Sequence, residues 1–592
     1  MMLSPILIVS LIVLFIFVSQ AFELLKPGIV FLLAVIGMVC FGLVAPDKIL
    51  MGFANQQIAM IYMLLLLSDL VKKSGLLDAF VFNVLQPKLN YGQFMTRLTL
   101  TTAAISSVFK NTPLVALLLP YVYDWAKRKG ISPSKVMMPL SMAAIVGGAM
   151  TLIGTTPNLL VSGLAANAGL IPLKMFDFTP IGLPMAIVCC LYAITIGKKI
   201  LPDRKDALAS FKENRQLYFV ERVVPKGSQL IGKKLLNSSL RQLQGLYIAE
   251  IIRGDDIIVP VTPEEIIEEG DVLIFAGDTS SIIELVNQRK DLLVDAYSDL
   301  PEGDKKMDVV EVLVAPGSVL EGQKIKETQF RDTYDAAIFA VNHYGKKVSG
   351  AIGEIELGAG DILLILAGER FREKSSSSRD IVVISRKTKI NQGDKKKMAW
   401  MLGGLGLCFL LEATGVVGLF LSLFFLTAFG MLINIITYRD LRRSLDVELM
   451  MMLTMSLVIG EGIKASGADH YYSHLVLQLT SFIPGAIGGL IAVYLITSIV
   501  SQFVTNAAAV AIAFPIGVAS AQEMHLDPKP FLLTIAFAAS SAFLTPFGYQ
   551  TNLMVYGPGG YKFFDYLRFG IIPWFIFFIF SVLGLGLWFN MI

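Results

Sequence analysis

Cysteine is nearly missing from this chain. Cys40, Cys189, Cys190 and Cys408 are all that 592 residues contain, each inside an apolar run and none at metal-ligand spacing. That excludes a disulfide framework and a zinc site, and leaves buried thiols as the expectation. Charge is scarce too: 16% of residues are Asp, Glu, Lys or Arg, and a net charge of +3 is too small to attract nucleic acid. No nucleophile and base stand at a recognisable spacing, so nothing points to an enzyme. The first apolar run, Ile6 to Val18, carries neither a basic leader nor a small-residue cleavage site, and reads as a retained span rather than a signal peptide.

Apolar length is what the chain has instead, at 54% hydrophobic residues. Its charge is concentrated: of 50 basic and 47 acidic residues, about 60 lie between positions 201 and 400, so apolar flanks enclose a water-soluble centre. Four segments follow: a membrane repeat over 1–200, soluble modules over 210–296 and 305–388, and a second membrane repeat over 396–592.

The two flanks share a pattern. Val108-Phe109-Lys110-Asn111-Thr112-Pro113 runs to Pro120, and Phe503-Val504-Thr505-Asn506-Ala507-Ala508 runs to Pro515. About 46 residues beyond each asparagine comes a second polar break, Gly154-Thr155-Thr156-Pro157-Asn158 in one flank and Gly548-Tyr549-Gln550-Thr551-Asn552 in the other. Spans are read near 3–21, 27–45 and 51–71, then a re-entrant hairpin at Asn111, a broken crossing over 136–166 and a last span over 179–199. The second flank repeats this at 398–418, 420–438, 447–465, a hairpin at Asn506, a broken crossing over 530–557 and a span over 571–592. Five crossings is an odd number, so the second copy starts on the opposite side and the repeats are inverted.

Basic residues give the orientation. Lys72, Lys73, Lys88, Lys127, Arg128, Lys129, Lys135, Arg439, Arg442, Arg443, Lys562 and Arg568 fall on the side of the soluble centre, against Lys48, Lys174, Lys464 and Lys529 opposite. The excess marks the cytoplasmic face of a cell inner (plasma) membrane, with both termini outside.

A helix interrupted within lipid exposes backbone groups that must line a polar cavity or bind ions. Asn111, Thr112, Asn158, Thr505, Asn506, Thr551 and Asn552 are therefore cavity candidates, with Asn oxygens and free carbonyls suited to a small cation and half-helix N-termini suited to an oxyanion. Asn and Thr can also merely stitch helices together, but the duplicated spacing favours a site.

On these residues the flanks resemble the divalent anion:sodium symporter family of the ion transporter superfamily. Its Ser-Asn-Thr hairpin tips are similar to Lys110-Asn111-Thr112 and Thr505-Asn506-Ala507, and its unwound-helix motifs to Gly147–Asn158 and Ser540–Asn552. The resemblance implies a homodimer, each protomer with a scaffold and a mobile part, carrying sulfate-like oxyanions or di- and tricarboxylates, usually with sodium. It implies substrate contacts at Lys110, Asn111, Thr112, Thr505, Asn506, Ala507, Thr156, Pro157 and Thr551, and sodium at Asn111, Gly154, Asn158 and at Asn506, Gly548, Asn552. No other cofactor is expected.

Two departures stand out. Ala507 replaces a tip threonine, and Lys110 brings an ammonium where the family has a small polar residue; it either supplies charge to the anion or takes the place of one sodium. The alternative is that it snorkels to water or pairs with a carboxylate. Asp69, Glu448 and Glu461 read as interfacial, while Glu412 lies deeper with no evident partner.

The soluble centre repeats with a period of ninety: Val223-Val224-Pro225-Lys226-Gly227-Ser228 and Gly232 recur as Leu313-Val314-Ala315-Pro316-Gly317-Ser318 and Gly322, and Gly270-Asp271 as Gly360-Asp361. Each copy reads as a small α/β module and resembles the C-terminal module of regulator-of-potassium-conductance domains, which in some transporters senses a small ligand. Neither has a Gly-x-Gly-x-x-Gly fingerprint, and the glycines read as turn residues. The expected function is secondary transport of a small divalent oxyanion, sulfate first, with di- and tricarboxylates or a ligand-gated anion channel as alternatives.

Overall fold

A computed structural model gives the fold. It describes residues 4–21, 24–25, 27–56, 58–60, 62–63, 66–67, 84–204, 219–238, 240, 246–254, 256–258, 261–277, 294–295, 309–343, 346–347, 352–368, 370–376, 378, 380–384, 395–433, 435–438, 441–442, 447–479, 483 and 485–591.

The first flank begins with α1 (Pro5–Ala21), α2 (Pro27–Cys40) and the short α3 (Pro46–Phe53). The span read over 51–71 lies only partly within the described residues, and Asp69 lies outside them. A capping box at Asn90 and Gln93 starts α4 (Tyr91–Ser106), which turns at 107–110 into α5 (Asn111–Arg128). Pro120 sits inside α5 and removes one helical hydrogen bond. The expected broken crossing is α6 (Met137–Gly148), a nonhelical stretch over 149–155, and α7 (Thr156–Asn167), whose Pro157 suits a first helical turn. The flank closes with α8 (Thr179–Tyr192), continued by a π-turn to Ile200.

The soluble centre forms two sheets. One joins β1 (Phe219–Val223), β2 (Leu246–Arg253), β3 (Asp256–Ile258), β4 (Val272–Gly277) and β5 (Val294–Asp295) in the order β3-β2-β4-β1-β5. The other contains β6 (Val309–Val314), α9 (Phe330–Tyr334), β7 (Ala336–His343), β8 (Lys346–Lys347), β9 (Ile362–Ala367), α10 (Phe371–Ser376) and β10 (Ile381–Val383), in the order β10-β6-β9-β7-β8. Read from the opposite edge, the second order repeats the first, and every pairing is antiparallel. Among the described residues the modules thus hold more sheet and less helix than an α/β reading suggests. Gly227, Gly232, Gly270, Gly317, Gly322 and Gly360 all have positive φ, the backbone that turn glycines exist to supply. Arg253 donates to Asp271 (2.9 Å) and His343 meets Asp361 (2.7 Å) at equivalent positions. Those hydrogen bonds to Asp271 push the Arg253 guanidinium up from its ordinary value.

The second flank has α11 (Lys395–Ala413), α12 (Leu419–Leu432), α13 (Val447–Ala465) and α14 (Ala468–Leu479). It continues with α15 (Ala486–Ser501), α16 (Asn506–Glu523), α17 (Pro528–Ser540), a nonhelical stretch over 541–549, α18 (Gln550–Tyr556) and α19 (Phe563–Ile579), extended to Trp588. The span read over 571–592 therefore begins earlier, at Phe563. Its first turn is fixed by Asp565, which accepts from Lys562 N–H (2.7 Å) and pairs with Arg204 (2.8 Å). The amphipathic α14 was not expected; buried Ser473 meets Ser520 (3.0 Å) while Tyr471 and Leu475 face outward. Glu412 gains a partner the sequence did not suggest, accepting from Leu419 N–H (2.6 Å) at the start of α12. Glu461 pairs with Lys48 across half-exposed side chains, and the Glu448 side chain lies outside the described residues.

The flanks interlock. α7 packs on α16 and α17, while α18 packs on α5 and α6, so each post-break helix is held by the other flank. One apolar core runs through both flanks and takes in Leu313, Ile362 and Ile384 of the second module. Outward, Leu11, Leu14, Phe424, Phe425, Leu432, Phe575, Leu587 and Trp588 present an apolar coat far beyond what a water-facing surface shows. Thr179–Ile200 and Phe563–Trp588 are long and apolar enough to cross a bilayer, and shorter apolar helices accompany them. Cys189, Cys190 and Cys408 are buried and Cys40 is exposed.

Candidate functional site

Each hairpin tip reaches into its own flank's break. Asn111 opens α5 with its side chain buried, and the amide orientation that satisfies every partner donates to Ala144 O (3.1 Å) and Gly154 O (3.2 Å). Asn506 opens α16, and its amide, oriented the same way, donates to Ala539 O (3.3 Å) and Gly548 O (3.0 Å). Ala144 and Ala539 lie on the helix before the break, Gly154 and Gly548 at its end. Each asparagine thus bridges the two edges of an interrupted helix, binding a carbonyl of the helix before it and one at the end of the break.

The parallel extends to residues that motif reading passed over. The Thr151 hydroxyl donates to Ser107 O, and the Thr545 hydroxyl to Gln502 O (2.9 Å). Asn158 donates to Thr151 O (2.7 Å), and Asn552 to Thr545 O (3.3 Å). Ser106 donates to Ala144 O (2.8 Å), and Ser501 to Ala538 O (3.5 Å). Thr151 and Thr545 stand about forty residues beyond their tip asparagines, a regular spacing that could have revealed them.

The tips then converge. The Tyr549 hydroxyl donates to the Asn111 amide oxygen (2.7 Å) and also meets the Thr155 hydroxyl (2.7 Å). Thr112 donates to the Gln550 amide oxygen (2.9 Å). Since Asn506 holds Gly548 O, the two tips between them bind three consecutive residues, one tip at 548 and the other at 549 and 550. Tyr549 and Gln550 stood out in the sequence only as spacers of the repeat.

The other predicted residues divide. Lys110, half-buried, immediately precedes α5, and Thr505 caps α16 by accepting from Ala508 N–H (3.4 Å) while its own N–H donates to Gln20 Oε1 (2.9 Å). Ala507 is buried; half-buried Thr156 and buried Pro157 begin α7. Thr551 and Asn552 turn toward α6, where the Ser141 hydroxyl meets the Thr551 hydroxyl (2.9 Å) and donates to Asn552 Oδ1 (2.7 Å). Gly154 and Gly548 stand where a side chain has no room: a Cβ would lie 2.5 Å from Gly148 O and 2.9 Å from Ser501 O, respectively. Among the described residues no group of three His, Cys, Asp or Glu is placed to hold a metal ion.

Comparison with known proteins decides the family. The profile of the citrate transporter family matches residues 12–528. The chain belongs to that family. It is a polytopic helical membrane protein and a transporter of anions. A Chlamydomonas reinhardtii protein provisionally named a sulfur deprivation response regulator is 30% identical over 542 residues, covering 90% of this chain and 92% of that one. An uncharacterized transporter of Synechocystis is 28% identical over 561 residues, covering 91% and 90%. Sodium/sulfate cotransporter 1 of Chlamydomonas reinhardtii is 24% identical over 376 residues, covering 59% and 42%. The motifs pointed to the divalent anion:sodium symporters; the family matched is the citrate transporters, with sodium/sulfate cotransporters among the relatives.

Proposed function

We propose that this citrate transporter family member is a secondary carrier of a small divalent oxyanion, sulfate, working by alternating access with sodium coupling. The observation that carries this reading is the meeting of Asn111 and Asn506 on the adjacent residues Tyr549 and Gly548, which brings the two hairpin tips together at the second break. The N-termini of α5 and α16 contribute partial positive charge there, and Thr112 contributes a hydroxyl. Lys110, the residue immediately before α5, adds a charge of the sign that a dianion requires at that end of the helix. Sodium would be held by Asn111, Gly154 and Asn158 in one half and by Asn506, Gly548 and Asn552 in the other.

Opposite orientation of the two flanks has independent support. α5 and α18 end against the second module, through Lys127 with Glu311 (3.6 Å) and Gly557 with Gly360. The chain that follows their counterparts α16 and α7 meets instead through Lys529 and Asp177, which pair at 3.0 Å. The two sheets are read as cytosolic regulator-of-potassium-conductance C-terminal modules, and the carrier as a homodimer. A citrate-like carboxylate is the second reading, favoured by the family matched.

Purified protein in liposomes with an inward sodium gradient should concentrate labelled sulfate above equilibrium, and excess succinate or citrate should leave that uptake largely intact. Accumulation of the carboxylates without sulfate would replace the first reading by the second; flux that only dissipates a gradient, with conductance, would mark a channel. Replacing sodium by choline tests Lys110. In Lys110→Ser the KM for sulfate should rise roughly tenfold, the ~1.4 kcal/mol of one partly screened charge, and sodium dependence should steepen. An unchanged KM with the same sodium response would remove Lys110 from both anion and cation roles.

A further inference from the structure

We infer that Glu311, in the second soluble module, is a positioning residue for the transport site, acting through α5; this rests on the reading of Asn111 and Thr112 as site residues. Glu311 lies within β6, between β9 and β10, and its backbone carbonyl accepts from Ile384 N–H (2.8 Å). Its side chain is fully buried, and a membrane helix comes to meet it. The Tyr123 hydroxyl of α5 donates to its carboxylate at 2.9 Å, and Lys127 of α5 approaches at 3.6 Å while lying over the Tyr123 ring (4.4 Å to its centre). A carboxylate withdrawn from water is tolerable only when such partners meet it, so the module has one docked position on α5 in which this charge is satisfied.

The same module grips the other half of the site. Gly360 (φ +85°) comes so close to α18 that a Cβ would stand 2.7 Å from Leu553 O, and a Cβ on Gly557 would stand 2.8 Å from Gly360 O. Leu313 on β6 and Ile362, which opens β9 just after Gly360, lie in the core shared with the membrane helices. The module therefore clamps the far end of α5 to the end of α18. Those two helices, at their other ends, carry the pairs Asn111–Tyr549 and Thr112–Gln550. Tyr123 stands twelve residues beyond Asn111, about 18 Å along a helix axis, and Pro120 loosens α5 between them. A helix with a weak point midway needs its outer half held if its tip is to keep register with α18, and Glu311 supplies that hold.

The experiment follows hydrogen exchange and uptake on the full chain for Glu311→Gln, Tyr123→Phe, their double variant and Gly360→Ala. Exchange at 107–114 should quicken about tenfold in each, with the segment 502–508 unchanged, and the double variant should add little to Glu311→Gln because both act on one contact. The KM for sulfate should rise about fivefold with maximal rate within twofold, a split that simple loss of folded protein does not produce. Tyr123→Phe removes only a hydroxyl, so it keeps the test open should Glu311→Gln misfold. Folded variants with wild-type exchange at 107–114 would overturn the inference. Failure of the wild type to take up sulfate would instead sink the proposed substrate and leave the exchange result standing.

Discussion

Asn111→Ala should reduce uptake about a hundredfold or more, while the chain still inserts and folds more weakly. The side chain is buried and its amide satisfies Ala144 O, Gly154 O and the Tyr549 hydroxyl at once. Ala144 O keeps its bond from Ser106 and the Tyr549 hydroxyl keeps Thr155, but alanine leaves Gly154 O without that donor, and a buried polar group so stranded costs ~1–3 kcal/mol. Gly154 lies at the end of the break over 149–155, so the loss falls on a segment without helical hydrogen bonds to fall back on. Asn111→Asp is the sharper comparison: it keeps the size and can still accept from Tyr549, but an ionised carboxylate cannot donate to either carbonyl. It should therefore resemble alanine. Asn506→Ala should follow with a smaller effect, because Asn506 is half-buried and holds two carbonyls, Gly548 O and Ala539 O. Initial uptake rates at matched protein incorporation, with thermal unfolding in detergent, check the order. Transport by Asn111→Asp at the wild-type rate would show that donation to the break is dispensable.

Asn111, Asn506, Gly154 and Gly548 were legible because a polar or glycine residue inside an apolar run is conspicuous, and the repeat supplied a second copy of each. Thr151, Thr545, Ser106 and Gln502 were not, since threonine and serine are common in apolar helices and only their partners distinguish them. Tyr549 and Gln550 escaped for a different reason. They belong to the second break but serve the first hairpin, and a pattern read along one flank cannot report a contact between flanks. Thr551 shows the converse: it shares the motif, yet its hydroxyl meets Ser141 on α6. Charge misled at α19, where Lys562 and Arg568 read as loop residues although Arg568 lies within the helix, whose first turn Asp565 caps while pairing with Arg204. In the soluble centre the ninety-residue period located the turn glycines, whereas strand order depends on pairing between distant segments that no local pattern encodes.

Gly570→Ala should be among the most damaging small substitutions in the chain. Alanine ordinarily stabilises a helix interior relative to glycine by ~1 kcal/mol, so the expected sign rests on what the new methyl would meet. On α19 at Gly570 it would overlap Phe543 O and stand 2.7 Å from Phe543 C, backbone atoms of the second break. Gly182 on α8 plays the equivalent part in the first flank, where a Cβ would stand 2.8 Å from Ala149 O and 2.9 Å from Met150 Cα. In each flank the closing helix thus presses a glycine against the start of the interruption, and the interruption has little else of regular structure to support it. Overpacking a tight contact costs ~1–3 kcal/mol even when side chains can adjust, and backbone adjusts less. Gly570→Ala should lower the unfolding temperature more than Gly182→Ala, and should impair uptake by shifting the carbonyls that face Asn506 and Asn552. Gly403 and Gly406 on α11 provide the control, because open space surrounds the position of an added methyl. Alanine there should be neutral or stabilising by up to ~1 kcal/mol, with uptake unchanged. If Gly570→Ala melts and transports like those two, close backbone packing is not what holds the break in shape, and the asparagine bridge must do so alone.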